Sequence, residues 1–366
     1  MTDLLTKLAY QTFQQSKTSF GLAHKTLSNQ LRNWIALLPP GPTKRVSPDA
    51  IDRLRQRLSQ LLDTDWQDAE RGVYPTRVLF DNPWDEFLTY YPWLCLDMPR
   101  TWFRAQNQQY RDLPSDCDFH NYPDYYLQNF HYQTDGYLSE QSANLYDLQV
   151  DILFNGASDA MRRRVLAPLK RGLDRFKNAG TAQLRLLDVA CGTGRTLKFL
   201  RETFPKASLV GTDLSAAYLR KADRLLSQQP GELPQLIRTN AEELPFVENY
   251  FHGIACVFLF HELPAPVRGR IIEQCYRVLQ PGGVLAICDS IQLSDSPEFS
   301  AIMENFAVTF HEPFYRNYIA DNIEARLETA GFAEIATEVH FMSKYWIARK
   351  PTSEFVRSEG DRRVKN

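Results

Sequence analysis

The chain has 366 residues, 43% of them hydrophobic and 23% charged, a balance that fits a soluble globular protein with one large domain or two ordinary ones. Forty-two Lys and Arg against 44 Asp and Glu leave a net charge of −2, which excludes a broad basic field for nucleic acid. No run of about 18 apolar residues occurs, so no membrane-spanning helix is expected.

Six cysteines (Cys95, Cys117, Cys191, Cys256, Cys275, Cys288) show no C-x-x-C pair and no zinc-like spacing with histidine. No metal is expected from them, and a reducing, cytoplasmic compartment fits.

Residues 1–48 hold six Lys and Arg and a single acid, Asp3. Their apolar residues, among them Leu4, Leu8, Phe20, Leu27 and Trp34, suggest helices. The segment reads first as a helical extension packed on the protein. A peripheral membrane or protein contact through residues 1–40 is the second reading. Leu38-Pro39-Pro40-Gly41-Pro42 marks a boundary, and residues 49–62 repeat apolar positions as an amphipathic helix does. From 80 to 146, seventeen of 67 residues are Phe, Tyr or Trp, interrupted by Pro92, Pro99, Pro114 and Pro123. So irregular a stretch is expected to pack as a cap, with its own small aromatic core or as a lid over an apolar pocket.

A long helical stretch is expected from 142 to about 176, after which strand, turn and helix alternate. Strands are expected at 185–189, 208–212, 235–239, 253–260, 284–288, 335–340 and 345–349. Helices are expected at 194–202, 215–228 and 265–279, the last stopped by Gln280-Pro281-Gly282-Gly283. This alternation argues for a doubly wound, mostly parallel α/β sheet. The polar tail after Lys350 is expected to be disordered.

The most informative run is Leu187-Asp188-Val189-Ala190-Cys191-Gly192-Thr193-Gly194, a strand that ends in a small-residue turn opening a helix. Glycines there let a ligand approach the backbone. A third glycine, as in G-x-G-x-x-G, is absent, which counts against a dinucleotide. Asp213 follows 21 residues after Gly192, at the end of the second strand, where a carboxylate can accept from both hydroxyls of a ribose or cap the next helix.

With these residues placed, the chain resembles the class I S-adenosylmethionine-dependent methyltransferases, in the branch that includes ubiquinone and menaquinone C-methyltransferases. LLDVACGTG is similar to the first motif of that family and VGTDLS to its second. NAEELPFVENYF resembles the adenine-binding segment, and RVLQPGGVLAICD the run into the fifth strand. The longer pattern around DGYLSEQSANLYDLQVDILFNG, with DSIQLSD and FHEPFY, resembles a little-characterised group of methyltransferases from photosynthetic and other bacteria and from plastids.

The resemblance implies a seven-stranded Rossmann-like methyltransferase sheet, its last strand antiparallel, at 141–350. A helical, aromatic-rich extension would occupy 1–140 and a polar tail 351–366. It implies S-adenosylmethionine as cofactor. Asp188, Gly192 and Gly194 would hold its methionine and ribose portions, and Asp213 with Leu214 its ribose. Asn240 and Ala241 would meet the adenine, and Leu259 and Phe260 would line the pocket. Asn240 stands where the family usually has aspartate, and His252 replaces another aspartate.

The expected reaction is methyl transfer to a small apolar or aromatic acceptor at oxygen or carbon. His261, at the carboxyl end of the sheet, and His311, in FHEPFY, are the candidate bases or acceptor-orienting groups. Tyr137, Glu262, Glu312 and Tyr315 are the candidate acceptor walls, and His131, Gln133 and Asp135 flank Tyr137 in FHYQTDGYLS. A protein acceptor and a non-catalytic cofactor-binding scaffold are the alternatives. Leu259-Phe260-His261-Glu262-Leu263 disfavours the Asn/Asp-Pro-Pro-Tyr/Phe chemistry of amide or exocyclic amine methylation.

Overall fold

The computed structural model describes residues 4–34, 43–115, 119–176 and 184–352. The boundary at 38–42, Cys117 and the tail beyond residue 352 lie outside these.

Seven strands form one sheet: β1 Arg185–Val189, β2 Ser208–Asp213, β3 Gln235–Arg238, β4 Phe251–Val257, β5 Leu279–Ser290, β6 Ala333–His340 and β7 Ser343–Arg349. Their order is β3-β2-β1-β4-β5-β7-β6, with β7 antiparallel to both neighbours and the other pairs parallel. Every residue of β4 is buried, as expected of a central parallel strand covered on both faces, so Gly253-Ile254-Ala255-Cys256-Val257 reads as a continuous small or apolar run. The chain winds outward from β1 to β3 and then crosses to β4. The crevice at the carboxyl ends of β1 and β4 is therefore the topological switch point, where open α/β sheets bind ligands.

Twelve α-helices are described: α1 Leu4–Trp34, α2 Pro48–Glu70, α3 Trp84–Gln106, α4 Glu140–Leu153, α5 Ser158–Arg163, α6 Leu166–Leu173, α7 Arg195–Thr203, α8 Ala216–Leu226, α9 Ala265–Val278, α10 Ser300–Thr309, α11 Tyr315–Tyr318 and α12 Ile323–Thr329. Two expectations change. The segment after residue 80 is not irregular throughout, because α3 runs through Pro92 and Pro99. These prolines lie seven residues apart and both are exposed, so the carbonyls they leave unpaired can meet water. The stretch 142–176 is not one helix but α4, α5 and α6, interrupted at Gly156 and at Arg164-Val165. Gln280-Pro281-Gly282-Gly283 does end α9, yet the chain continues directly into β5, with a register shift against β4 between Phe251 and Gly253.

The N-terminal helices share the core of the sheet. Tyr10 of α1, Trp66 and Ala69 of α2, and Val78 and Leu79 pack in one cluster with Leu186, Leu200, Leu209 and Tyr345. Asp65 of α2 anchors this junction, fully buried with Arg163 of α5 bonded to both carboxylate oxygens. Tyr10 and Tyr74 each donate to the same carboxylate at 2.6 Å. Charges so deeply buried persist only when paired and hydrogen-bonded, as here.

Candidate functional site

The turn after β1 is built from left-handed residues: Ala190 (φ 56°), Gly192 (φ 55°) and Gly194 (φ 85°). A Cβ at Gly194 would stand 3.0 Å from the Cβ of Ala222, so glycine lets α7 start against α8. A Cβ at Gly192 would meet no atom within 4 Å, so the space above that backbone is open to a ligand. Thr193 donates to buried Asp147 of α4 at 2.9 Å, and Arg195 pairs with Asp159 of α5, which ties the turn to the helices that precede β1.

Asp213, at the end of β2, accepts from the amides of Gly192 (2.9 Å, Oδ2) and Ser215 (2.8 Å, Oδ1). Each oxygen keeps a lone pair free for a ribose hydroxyl. Burial raises its pKa to about 6 against the opposing pull of these amides, and Glu262 adds to the rise.

Asp213 lies on the wall of a cleft of about 750 Å³ with Gly192, Leu214, Asn240, Ala241 and Leu259. The side chain of Asn240 turns back on its own segment, accepting from Glu242 N at 3.0 Å and donating to the Glu242 carboxylate at 3.2 Å. One lone pair of its amide oxygen is left for an adenine amino group.

Asp188, Gly194 and Phe260 do not stand on this wall. Phe260 belongs to the apolar core beneath, its N–H bonded to Asp289. Asp188 is buried behind the cleft. Desolvation there and the nearby Asp213 hold its pKa well above the usual carboxylate range, and its Oδ2 has no hydrogen bond among the described residues. His252 sits on β4, accepting from Arg185 N at 3.0 Å and packed edge-on to Phe176.

Tyrosines close the cleft: Tyr125, Tyr126 and Tyr137 from the cap, Tyr146 from α4 and Tyr218 from α8. Tyr125 donates to Glu242 at 2.7 Å and Tyr137 to Glu262. Burial raises the pKa of all five phenols, which keeps them protonated as donors. Apart from Tyr137, reading the sequence did not single out these residues. The aromatic density between 80 and 146 was the signal for Tyr125, Tyr126 and Tyr146, but not which rings face inward, and Tyr218 had no such signal.

A second cavity of about 650 Å³ adjoins the cleft at Tyr146, Phe258 and Glu262. Its other walls include Val150, Met303, Phe306 and Tyr315, with His131 and His261 at the polar end. Nδ1 of His261 lies 2.7 Å from Asp289, a fully buried carboxylate that also accepts from the amides of Phe260 and Ser290. This contact turns Nε2 of the ring away from Asp289, and it lies 3.9 Å from Glu262. Burial alone would lower the pKa of His261, but Asp289, Glu312 and Glu262 outweigh it and raise it to about 9. At His131 burial is likewise outweighed, by Glu312 and Glu262, and the pKa rises to about 10.

Of the two candidate bases, His261 reaches this cavity and His311 does not. His311 stacks on Tyr110 (centroids 4.4 Å apart), and its Nε2 pairs with Gln128 at 2.6 Å. Burial and the neighbouring His131 lower its pKa to about 4. Its backbone carbonyl accepts from the amide of His131 at 3.1 Å, so this loop supports the histidine that does face the cavity. Glu312 lies behind His131, with no exposed side-chain surface. Gln133 faces a third, more apolar cavity, which shares His131, Tyr146, Val150 and Leu153 with the second.

The sheet order, the glycine turn and the carboxylate after β2 together define a class I S-adenosylmethionine-dependent methyltransferase domain, and the chain carries one. Residues 186–283 match the family model described as a methyltransferase domain. The chain is 32% identical over 108 residues to the demethylmenaquinone methyltransferase of Listeria monocytogenes, 29% of this chain and 45% of that protein. It is 29% identical over 154 residues to the enzyme of the same name from Lactiplantibacillus plantarum, 42% of this chain and 60% of that one. The chain thus spans about half the length of the curated relatives it matches. Among solved structures it is similar to human N-acetylserotonin methyltransferase in complex with S-adenosylmethionine (TM-score 0.44, 14% identity, 58% of this chain and 57% of that one).

S-adenosylmethionine is the cofactor of this class, and the residues present fit it. The Asp213 carboxylate has free lone pairs toward the cleft, and Thr212 Oγ1 on the same wall lacks a hydrogen bond among the described residues.

Proposed function

We propose that the protein transfers the methyl group of S-adenosylmethionine to a small apolar or aromatic acceptor, at oxygen or carbon. The observation that carries this reading is the second cavity. It is walled by aromatic and aliphatic side chains and adjoins the cofactor cleft, with Tyr146, Phe258 and Glu262 lining both. Bound S-adenosylmethionine supplies an activated methyl group on a sulfonium, so the protein's task is to aim a nucleophile and keep water out.

The aromatic walls do the aiming. His261 lies at the polar end with Nδ1 held by Asp289, which leaves Nε2 to orient an acceptor oxygen. His261 is thereby an orienting group more than a free base. A lone proton acceptor at neutral pH would need a pKa nearer that pH.

The test is S-adenosylhomocysteine production by the full chain with a panel of phenols, quinols and other apolar acceptors. Turnover with one of them supports the reading. Methyl transfer only to a protein would replace it with a protein acceptor. Saturable cofactor binding without turnover on any acceptor class would favour a scaffold.

We further propose that residues 1–40 contact a lipid or protein surface. α1 leaves Leu4, Leu5 and Leu8 exposed, and α3 leaves Leu88, Trp93 and Leu96 exposed, while the two helices line the third cavity on their other sides. Co-sedimentation with lipid vesicles tests this, and its loss in Leu4→Glu with Leu8→Glu is the expected result.

A further inference from the structure

We infer that His131, Glu262 and Glu312 form a site for a first-row divalent transition-metal ion at the acceptor end of the cofactor cleft. The three come from separate parts of the chain: the cap, the turn after β4 and the loop after α10. The fold nevertheless brings one donor atom of each within 4.8 Å of the other two. Nε2 of His131 is 3.0 Å from Glu312 and 3.5 Å from Glu262. Donors about 2.1 Å from a common ion lie about 3.0 Å apart along an octahedral edge and about 3.4 Å apart along a tetrahedral one. Both measured separations therefore suit a shared ion.

Glu312 supplies the independent argument. Its side chain has no exposed surface, yet neither carboxylate oxygen has a hydrogen bond among the described residues. Its contact with Nε2 of His131, at 3.0 Å, is an ion pair. A buried carboxylate is costly unless a cation lies against it, and a metal ion held by Nε2 of His131 would fill that place instead of the imidazole proton. His131 is itself held at φ 55°, in the left-handed region that few non-glycine residues occupy, and such strain collects where a side chain must be aimed.

The surroundings are those of a ligand set. Tyr137 donates to Glu262, and the His311 carbonyl holds the backbone of His131. His261, fixed through Nδ1 by Asp289, stands at the edge of the site as a further nitrogen donor. One imidazole and two carboxylates suit Zn²⁺, Mn²⁺ or Fe²⁺. Three protein ligands leave coordination positions free, and two of the three, His131 and Glu262, line the second cavity. The part of the inference that concerns the acceptor rests on the function proposed above: an acceptor oxygen would take a free position and be held there as its anion.

The experiment is titration of the chelator-treated, full-length protein with Co²⁺, followed by visible absorption, then displacement by Zn²⁺ and metal analysis after gel filtration. One ion per chain is expected, with affinity at least tenfold lower in Glu312→Gln and in His131→Ala. S-adenosylhomocysteine binding is measured alongside as the check on folding, and Glu262→Gln serves if either variant fails it. Uptake below one ion per chain by protein that binds S-adenosylhomocysteine would overturn the inference. So would uptake that Glu312→Gln leaves unchanged, which would mark adventitious surface binding. Metal uptake without S-adenosylhomocysteine binding would instead overturn the cofactor reading and leave the metal site standing.

Discussion

The sheet half of the molecule and its N-terminal cap are held together in different ways. From β1 onward each element rests on a local pattern: a short apolar strand, a small-residue turn, an amphipathic helix, repeated. The cap rests on buried polar contacts between segments far apart in sequence, such as Asp65 with Arg163 and Asp68 with Arg164. Apolar burial is non-directional and tolerates small shifts, whereas a buried ion pair fixes one arrangement and is costly when half of it is lost. The cap is thus joined to the sheet at a few discrete points.

Asp65→Ala is expected to have the largest effect. It leaves the Arg163 guanidinium buried without its partner and strips Tyr10 and Tyr74 of their acceptor. Losing one member of a buried pair costs about 3–5 kcal/mol, a large part of the stability of most domains. Urea denaturation should show the loss with cap and sheet unfolding together. A separate early transition of the cap, with the sheet unaffected, would mean that the shared core does not couple the two regions.

Asp213→Ala tests the sheet half. It removes an acceptor of two charge-assisted hydrogen bonds, so S-adenosylhomocysteine affinity should fall at least tenfold, roughly 1.5–3 kcal/mol, in calorimetric titration. Unchanged affinity would remove Asp213 from the ribose site.

How much was legible in the sequence follows the same division. The strands from Arg185 to Arg349 end within a few residues of where apolar runs and glycine turns put them. Seven of the residues expected at the cofactor, from Gly192 to Leu259, are marked by position alone, because each follows a strand end. Of these, Gly192, Asp213, Leu214, Asn240, Ala241 and Leu259 stand on the cleft wall, and Gly194 supports it from behind. Asp188 and Phe260 share those strand ends but point into the protein, a direction that a linear motif does not encode. The acceptor end was less legible. His131, Glu262 and Glu312 belong to segments with no common spacing, and only the closed fold brings them together. The helix through Pro92 and Pro99 was also hidden, since two prolines ordinarily end a helix and only their exposed face makes them tolerable.

A pH titration sharpens the view of the cleft. Asp213 faces Glu262, Asp188 and Cys191, with Tyr126 above, and its pKa is raised to about 6. A raised carboxylate pKa means that the folded protein favours the protonated form. This group's contribution to stability is therefore full below the unfolded pKa of about 3.9 and is lost as pH rises through about 6. Ribose binding needs the ionised form, so the sign reverses for the ligand. Affinity for S-adenosylhomocysteine should be about tenfold weaker at pH 5 than at pH 7, with most of the change centred near pH 6. A flat profile over this range would mean that Asp213 is already ionised at pH 5.

The smallest effect is expected at His311, and it separates support from chemistry. Replacing it by Ala removes the 2.6 Å contact with Gln128 and the stack on Tyr110 but keeps the carbonyl that holds His131. One hydrogen bond at a half-buried site is worth about 0.5–1.5 kcal/mol, so stability should drop by that much while cofactor affinity stays the same. Turnover should change by only a few fold, against a loss of most activity in His261→Ala, whose ring faces the second cavity. Equal losses of turnover in the two variants, with His311→Ala as stable as the parent, would show that the FHEPFY loop reaches the acceptor directly and that its place behind His131 is not the one it holds during turnover.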